Sequence, residues 1–303
     1  MRRLSMLSLT ALLVLTASCT GEDAADAGAL SLELAGGEAL RTGFPHQEGT
    51  VTREFVDGWT SLTFDKYIVS IGHTTLTDPV SGAEEARWEK AVLVDLKSNA
   101  SGTVALHTFE GLPALRYDIA FSAPAPKQGV ELRGVEQADA DEMVQKGWTL
   151  LAEGVAKKGS ETVRFRLGIP APIRYERCVN GKDNSQGVAI EANKTTGAFI
   201  YAHAIHLFWD SLSFSSQNLR FDAFAAVAGA DGLVDSEELK TQDLTDLKDA
   251  QGNPLKHDGK AVVYNDGGLL PPAEQNLFHF VRLAARQAPH FNGIGLCSEQ
   301  PLD

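Results

Sequence analysis

The chain predicts a mainly β fold, an antiparallel β-sandwich with short helices chiefly in its C-terminal third. Two observations carry this expectation. Between residues 50 and 178, short runs rich in Val, Ile, Thr, Tyr and Phe recur between turn residues, and only three segments in the whole chain carry helical signals. A chain of 303 residues also has ample material for one large sandwich or two smaller units.

Taken in order, Met1-Arg2-Arg3 is a short positive segment, and residues 4–16 form an apolar run too short for a stable membrane span. The run ends in Leu15-Thr16-Ala17-Ser18-Cys19, which resembles the lipobox of bacterial lipoproteins. That resemblance implies a signal peptide at 1–18, cleavage before Cys19 and lipidation of Cys19. Thr20, where an inner-membrane sorting signal would place Asp, implies the outer membrane. The expected localisation is therefore the bacterial cell envelope, with the lipid anchor holding the protein to the membrane. Residues 19–36 begin with small and acidic side chains and are expected to be a tether.

The sandwich domain is expected to occupy 37–303, with a sub-boundary near 180. Strands are expected at 50–55, 59–76 with a bend at Gly72, 91–96, 102–109, 115–122, 148–156, 161–167 and 173–178. Turns are expected at 157–160 and at Asn180-Gly181. The expected helices are 137–146, one opening at Asp235 and running to about 247, and 272–288. On the last, Leu277, Val281, Ala284 and Ala288 form the buried stripe, with His279 on the solvent side. Residues 55–124 resemble prealbumin-like sandwich modules of bacterial lipoproteins. The resembling residues are Gly58-Trp59, Phe64-Asp65, Val94-Asp95-Leu96 and Gly111 through Tyr117 and Ile119. These are hydrophobic patterns, so the resemblance implies a fold and no chemistry.

Charge and cysteines bound the function. The formal charge is −13, and loss of Arg2 and Arg3 with the leader would take it to −15, a surface that repels nucleic acid. With Cys19 used by lipid, Cys178 and Cys297 are an even pair in an oxidising compartment and are expected to form a disulfide.

Candidate ligands concentrate between Ala198 and Glu238. On a strand, His203 and His206 would point to opposite faces; a bulge or the start of a helical turn between them would bring them together, with Asp210 following on that turn. Imidazole suits zinc or copper, making His203, His206 and Asp210 one candidate site, with His73 as a distant further ligand and Trp209 as a core residue. The segment Asp231-Gly232 through Asp235 and Glu238 resembles an EF-hand calcium loop, which would make these three acids a calcium site. Its first and third ligand positions fall on Val227 and Gly229, which offer no side-chain oxygen, and Asp235 through Glu238 also reads as a capping box.

No nucleophile elbow, zincin or phosphate-loop motif occurs. Three readings follow. The chain is a lipid-anchored envelope module that binds a protein or small-molecule ligand and carries a divalent metal as a staple; or it handles copper or zinc in the periplasm; or it hydrolyses an envelope polymer. The second is also suggested by a faint similarity to copper-binding lipoproteins that work with di-haem enzymes, although their multiple-cysteine pattern is missing here.

Overall fold

The computed structural model describes residues 27–99, 102–213 and 217–302. Cys19 and the signal peptide expected at 1–18 lie outside them. The chain is mainly β, and its strands gather into two large sheets. Strands used below are β1 (Ala27–Gly36), β2 (Ser61–Thr77), β3 (Glu84–Asp95), β4 (Thr103–Pro113), β5 (Arg116–Ala123), β6 (Leu150–Lys158), β7 (Glu161–Ile169), β8 (Ile173–Glu176), β9 (Thr195–Ala202), β10 (Leu233–Asp235), β11 (Pro289–Phe291) and β12 (Ser298–Pro301).

The smaller sheet has the order β11-β9-β1-β4, and the larger runs β10-β7-β6-β2-β5-β8-β12, with β3 paired to β2. Leu30, Leu32 and Leu34 of β1 and Phe64, Tyr67 and Ile71 of β2 belong to one core cluster, so the two sheets bury a common interior. Alternation explains this directly: Leu30, Leu32 and Leu34 sit two apart and are all buried, while Ser31 and Glu33 between them are more exposed. Most pairings are antiparallel, as expected, but β1 runs parallel to β9 and β7 parallel to β10.

The strand expected at 59–76 is β2, and its bend at Gly72 is a bulge. The pairing to β3 shifts register between Gly72 and Thr74, and the pairing to β5 shifts between Gly72 and Thr75. Gly72 is required there, because a Cβ would lie 2.2 Å from the Lys90 carbonyl oxygen. The next residue, His73, takes φ 49°, an uncommon left-handed conformation for a side chain of its size.

Two helices of some length are present among the described residues, α1 (Gln137–Lys146) and α2 (Leu277–Arg286). The first has the predicted bounds and ends on Gly147 at φ 67°, whose N–H reaches the Met143 and Val144 carbonyls. Its Met143 and Ala140 pack on Ile68, Leu93 and Leu151 in a second, smaller cluster. Asp139 of the same helix is buried and accepts from Lys66 Nζ at 2.6 Å and Arg166 at 3.2 Å. In α2 the expected stripe of Leu277, Val281 and Ala284 is buried, together with Phe280. Asn276 caps this helix, accepting from the His279 N–H at 3.0 Å. Replacing Asn276 by Ala should lower stability by about 1 kcal/mol, read as a shift in the urea midpoint; an unchanged midpoint would mean the cap contributes nothing here.

Three expectations need correction. Residues 27–36 are not tether: they form β1, hydrogen-bonded on both sides within the smaller sheet, because their apolar alternation finds partners in β4 and β9. The helix expected from Asp235 to about 247 is a single 3-10 turn at Glu238–Thr241, after which Asp243 takes the Thr245 N–H and hydroxyl and turns the chain. The helix expected from 272 starts at Leu277, since Pro272–Glu274 is a separate 3-10 turn.

The expected disulfide is present. Cys178 and Cys297 are bonded with their Cα atoms 4.0 Å apart across a separation of 119 residues. Beside the bond, the Val179 N–H donates to the Leu296 carbonyl at 2.8 Å and the Gly181 N–H to that of Phe291 at 3.2 Å. The bond therefore fastens the segment that carries β11 to the middle of the chain.

Candidate functional site

The segment from Ala198 to Phe208 is not one strand: it changes conformation halfway, by the helical onset between the two histidines that their convergence requires. Strand β9 ends at Ala202, His203 remains extended, and Ala204–Phe208 forms a 3-10 helix in which the His206 N–H donates to the His203 carbonyl at 3.2 Å. Residues three apart nearly eclipse in such a turn, so the change brings His206 round to the side of His203. Their ring centres lie 5.8 Å apart, with the planes 29° from parallel.

A third imidazole joins them from the far end of the chain. His290 sits on β11, which pairs antiparallel with β9 and sets His290 opposite Tyr201. Its ring centre is 4.7 Å from that of His203 and 5.2 Å from that of His206. Aromatic rings wall the cluster: Trp209 lies 3.7 Å from the His206 ring centre to centre, and Tyr201 stacks at 6.0 Å on His203. His206 and His290 are buried, and His203 is half-buried.

Burial is the main cause of depressed basicity in all three. The His206 pKa falls well below the usual imidazole value, through desolvation first and then through His290 and His203. Desolvation, followed by His203, lowers His290 to about 4. That of His203 is lowered by burial against the opposing effects of the Gly293 carbonyl and Glu48. The three rings are therefore neutral at pH 7, the form that ligates metals. His203 Nε2 lies 3.2 Å from the Gly293 carbonyl oxygen. With Nε2 as the donor there, Nδ1 carries the lone pair, an arrangement common among metal-binding histidines.

Asp210 does not belong to this group. Its carboxylate accepts from the Asn218 N–H at 2.9 Å, from Asn218 Nδ2 at 3.0 Å and from Arg220 Nε at 2.7 Å, so it is committed to closing the turn between 210 and 220. The chain leaves the 3-10 helix at Trp209 in an extended conformation, which removes the continued turn that would have aimed Asp210 at the histidines. Trp209 is buried as expected, against the His206 ring. His73 is exposed on the larger sheet and is not drawn into the cluster.

The acidic segment folds as its capping-box pattern requires. Asp235 Oδ1 accepts from the Glu237 and Glu238 N–H groups at 2.8 and 2.9 Å, and Glu238 Oε2 accepts from the Asp235 N–H at 3.0 Å. Asp231 Oδ1 accepts from the Leu233 N–H at 3.1 Å. The three acids expected to hold calcium thus cap backbone groups of their own loop, while Leu233–Asp235 forms the edge strand β10. His279, expected in solvent, is half-buried with Nε2 at 4.0 Å from Glu274.

Sequence reasoning found two of the three clustered histidines and missed His290. The available signal was its position seven residues before Cys297, since the bridge that fixes Cys297 also fixes β11. Among the described residues no three or more His, Cys, Asp or Glu side chains stand as a ready-made ion site, so the three imidazoles share a space without yet converging their donor atoms.

Comparison with protein-family models, with curated proteins and with solved structures finds no match to this chain.

Proposed function

We propose that this protein is a lipid-anchored module of the bacterial cell envelope whose buried histidine cluster takes a copper or zinc ion. The observation that supports the metal reading is the mutual spacing of His203, His206 and His290. Metal–nitrogen bonds of about 2.0–2.1 Å put each imidazole centre about 3.2 Å from an ion, hence about 5 Å from one another in a tetrahedral shell. The centre-to-centre distances of 4.7, 5.2 and 5.8 Å bracket that value. Turning the rings about their Cβ–Cγ bonds, with the backbone unchanged, is the adjustment the reading needs. A bound ion would tie β11 to the end of β9 as a second fastening beside the disulfide.

Nitrogen donors and the aromatic wall favour copper or zinc over calcium, whose preferred oxygen ligands are engaged elsewhere. The anchor rests on the lipobox resemblance, and the partner is a protein or small molecule of the envelope rather than nucleic acid, given the acidic surface. Two measurements test the two halves. Cys19→Ala should move the protein from the membrane to the soluble fraction; sedimentation with membranes after a salt wash would refute the anchor. Zinc or copper(I) should bind one-to-one to the purified protein, with His290→Ala weakening binding at least tenfold and Glu238→Gln leaving it unchanged. Equal binding by the His290 variant would refute the site.

A further inference from the structure

A second feature lies on the larger sheet, away from the histidine cluster. We propose that the groove beside the β2 bulge binds an organic anion, a carboxylate or phosphate head on a short apolar body. The groove encloses about 730 Å³ and is walled by Ala125, Pro172 and Leu302, with Lys90, Lys127 and His73 among its polar groups. It continues past His73 and Leu302 into a narrower recess of about 310 Å³.

Three observations converge on this assignment. First, among the described residues the charge facing the groove is positive, on a chain whose formal charge is −13. The acid on the groove wall, Glu131, is paired with Arg133 at 2.8 Å. In the recess, Arg87 is held by Glu84 and lies 3.7 Å from Glu89, and Arg174 is held by Glu176 at 2.6 Å. Lys90 and Lys127 form no ion pair among the described residues, so their charges are the ones left for a ligand. Second, the walls between these cations are apolar, which suits the body of an amphipathic anion rather than a free inorganic ion. Third, the backbone is shaped at this spot. The bulge breaks the ladders of β2 to β3 and β5 and holds His73 at φ 49°, which places its ring at the junction of groove and recess. Bulges of this kind re-aim a side chain, and a non-glycine residue in this region of φ marks a position the surrounding fold overrides. The pKa of His73 is lowered, by partial desolvation first and then by Lys127 and Arg174, against the opposing charge of Glu89, consistent with the positive field of the groove.

The test is calorimetric titration of the full chain with decanoate, decyl phosphate and decyltrimethylammonium, each below its micelle concentration, and with decanol below its solubility limit. At least one of the two anions should bind one-to-one, and at least tenfold more tightly than decanol or the cation; the tighter anion identifies the head. Lys90→Gln/Lys127→Gln should weaken that anion at least tenfold, and Lys194→Gln/Lys240→Gln, which removes two lysines outside the groove, should leave it unchanged. Both lysine pairs are largely exposed, and an unaltered melting temperature for each variant shows that the fold persists. The proposal is overturned if decanol binds as tightly as the anions, if the Lys90/Lys127 variant keeps its affinity, or if no anion binds. These outcomes are read without added metal and are independent of the histidine cluster.

Discussion

Replacing Cys178 and Cys297 together by Ser should lower stability by about 4–5 kcal/mol, the chain-entropy value for a closed loop of this length. The bond spans 119 residues, so the unfolded chain regains most of the freedom that a long cross-link removes. The variant should also loosen β11, because the backbone hydrogen bonds from Val179 to Leu296 and from Gly181 to Phe291 stand beside the bond. Urea unfolding of oxidised wild type against the double variant reads the first effect, and amide exchange at Phe291 reads the second. A loss below about 1 kcal/mol would mean that the C-terminal segment is held by packing alone.

The second large effect is on pH. In the metal-free protein, stability should fall as pH drops from about 6.5 toward 4, and stay nearly flat, as far as these histidines are concerned, above about 7. An unfolded imidazole takes its proton near pH 6.5, whereas folded His290 resists protonation until about 4, because burial and then His203 oppose its charge. Between those values the unfolded state binds protons that the folded state refuses, so acid favours unfolding. For His290 alone the full difference is about 3 kcal/mol, and His206, lowered through the same causes, adds to it. His290→Gln should remove most of its own share of this slope. Urea midpoints between pH 4.5 and 7.5 measure it, and parallel curves for wild type and variant would contradict the assignment.

Much of the fold was legible because its signals are local. The alternation in β2, the turn before β7, the bounds of α1 and the bend at Gly72 each follow from a few neighbouring residues. The misreadings came where a distant partner decides. The pattern Leu30-Ser31-Leu32-Glu33-Leu34 alternates as well as any strand, yet in sequence it follows a run of small and acidic residues, and its parallel partner β9 begins more than 150 residues later. The helix expected after Asp235 began with its predicted cap and then stopped, as Asp243 turned the chain to meet the loop before α2.

The site divides in the same way. His203 and His206 could be singled out because they are close in sequence, and the required helical onset between them is present. Their third companion, His290, arrives through strand pairing and a disulfide, which leave no mark near residue 203. Asp210 looked suitable by spacing alone, and only Arg220 and Asn218, placed by the return of the same loop, show that its carboxylate is already engaged.

X-ray absorption at the zinc edge of the purified, zinc-loaded protein tests the histidine cluster most directly. The expected result is three nitrogen neighbours at about 2.0–2.1 Å with the outer-shell scattering of imidazole, reduced by one imidazole in His290→Ala. An all-oxygen shell, or a spectrum unchanged by the His290 substitution, would contradict it.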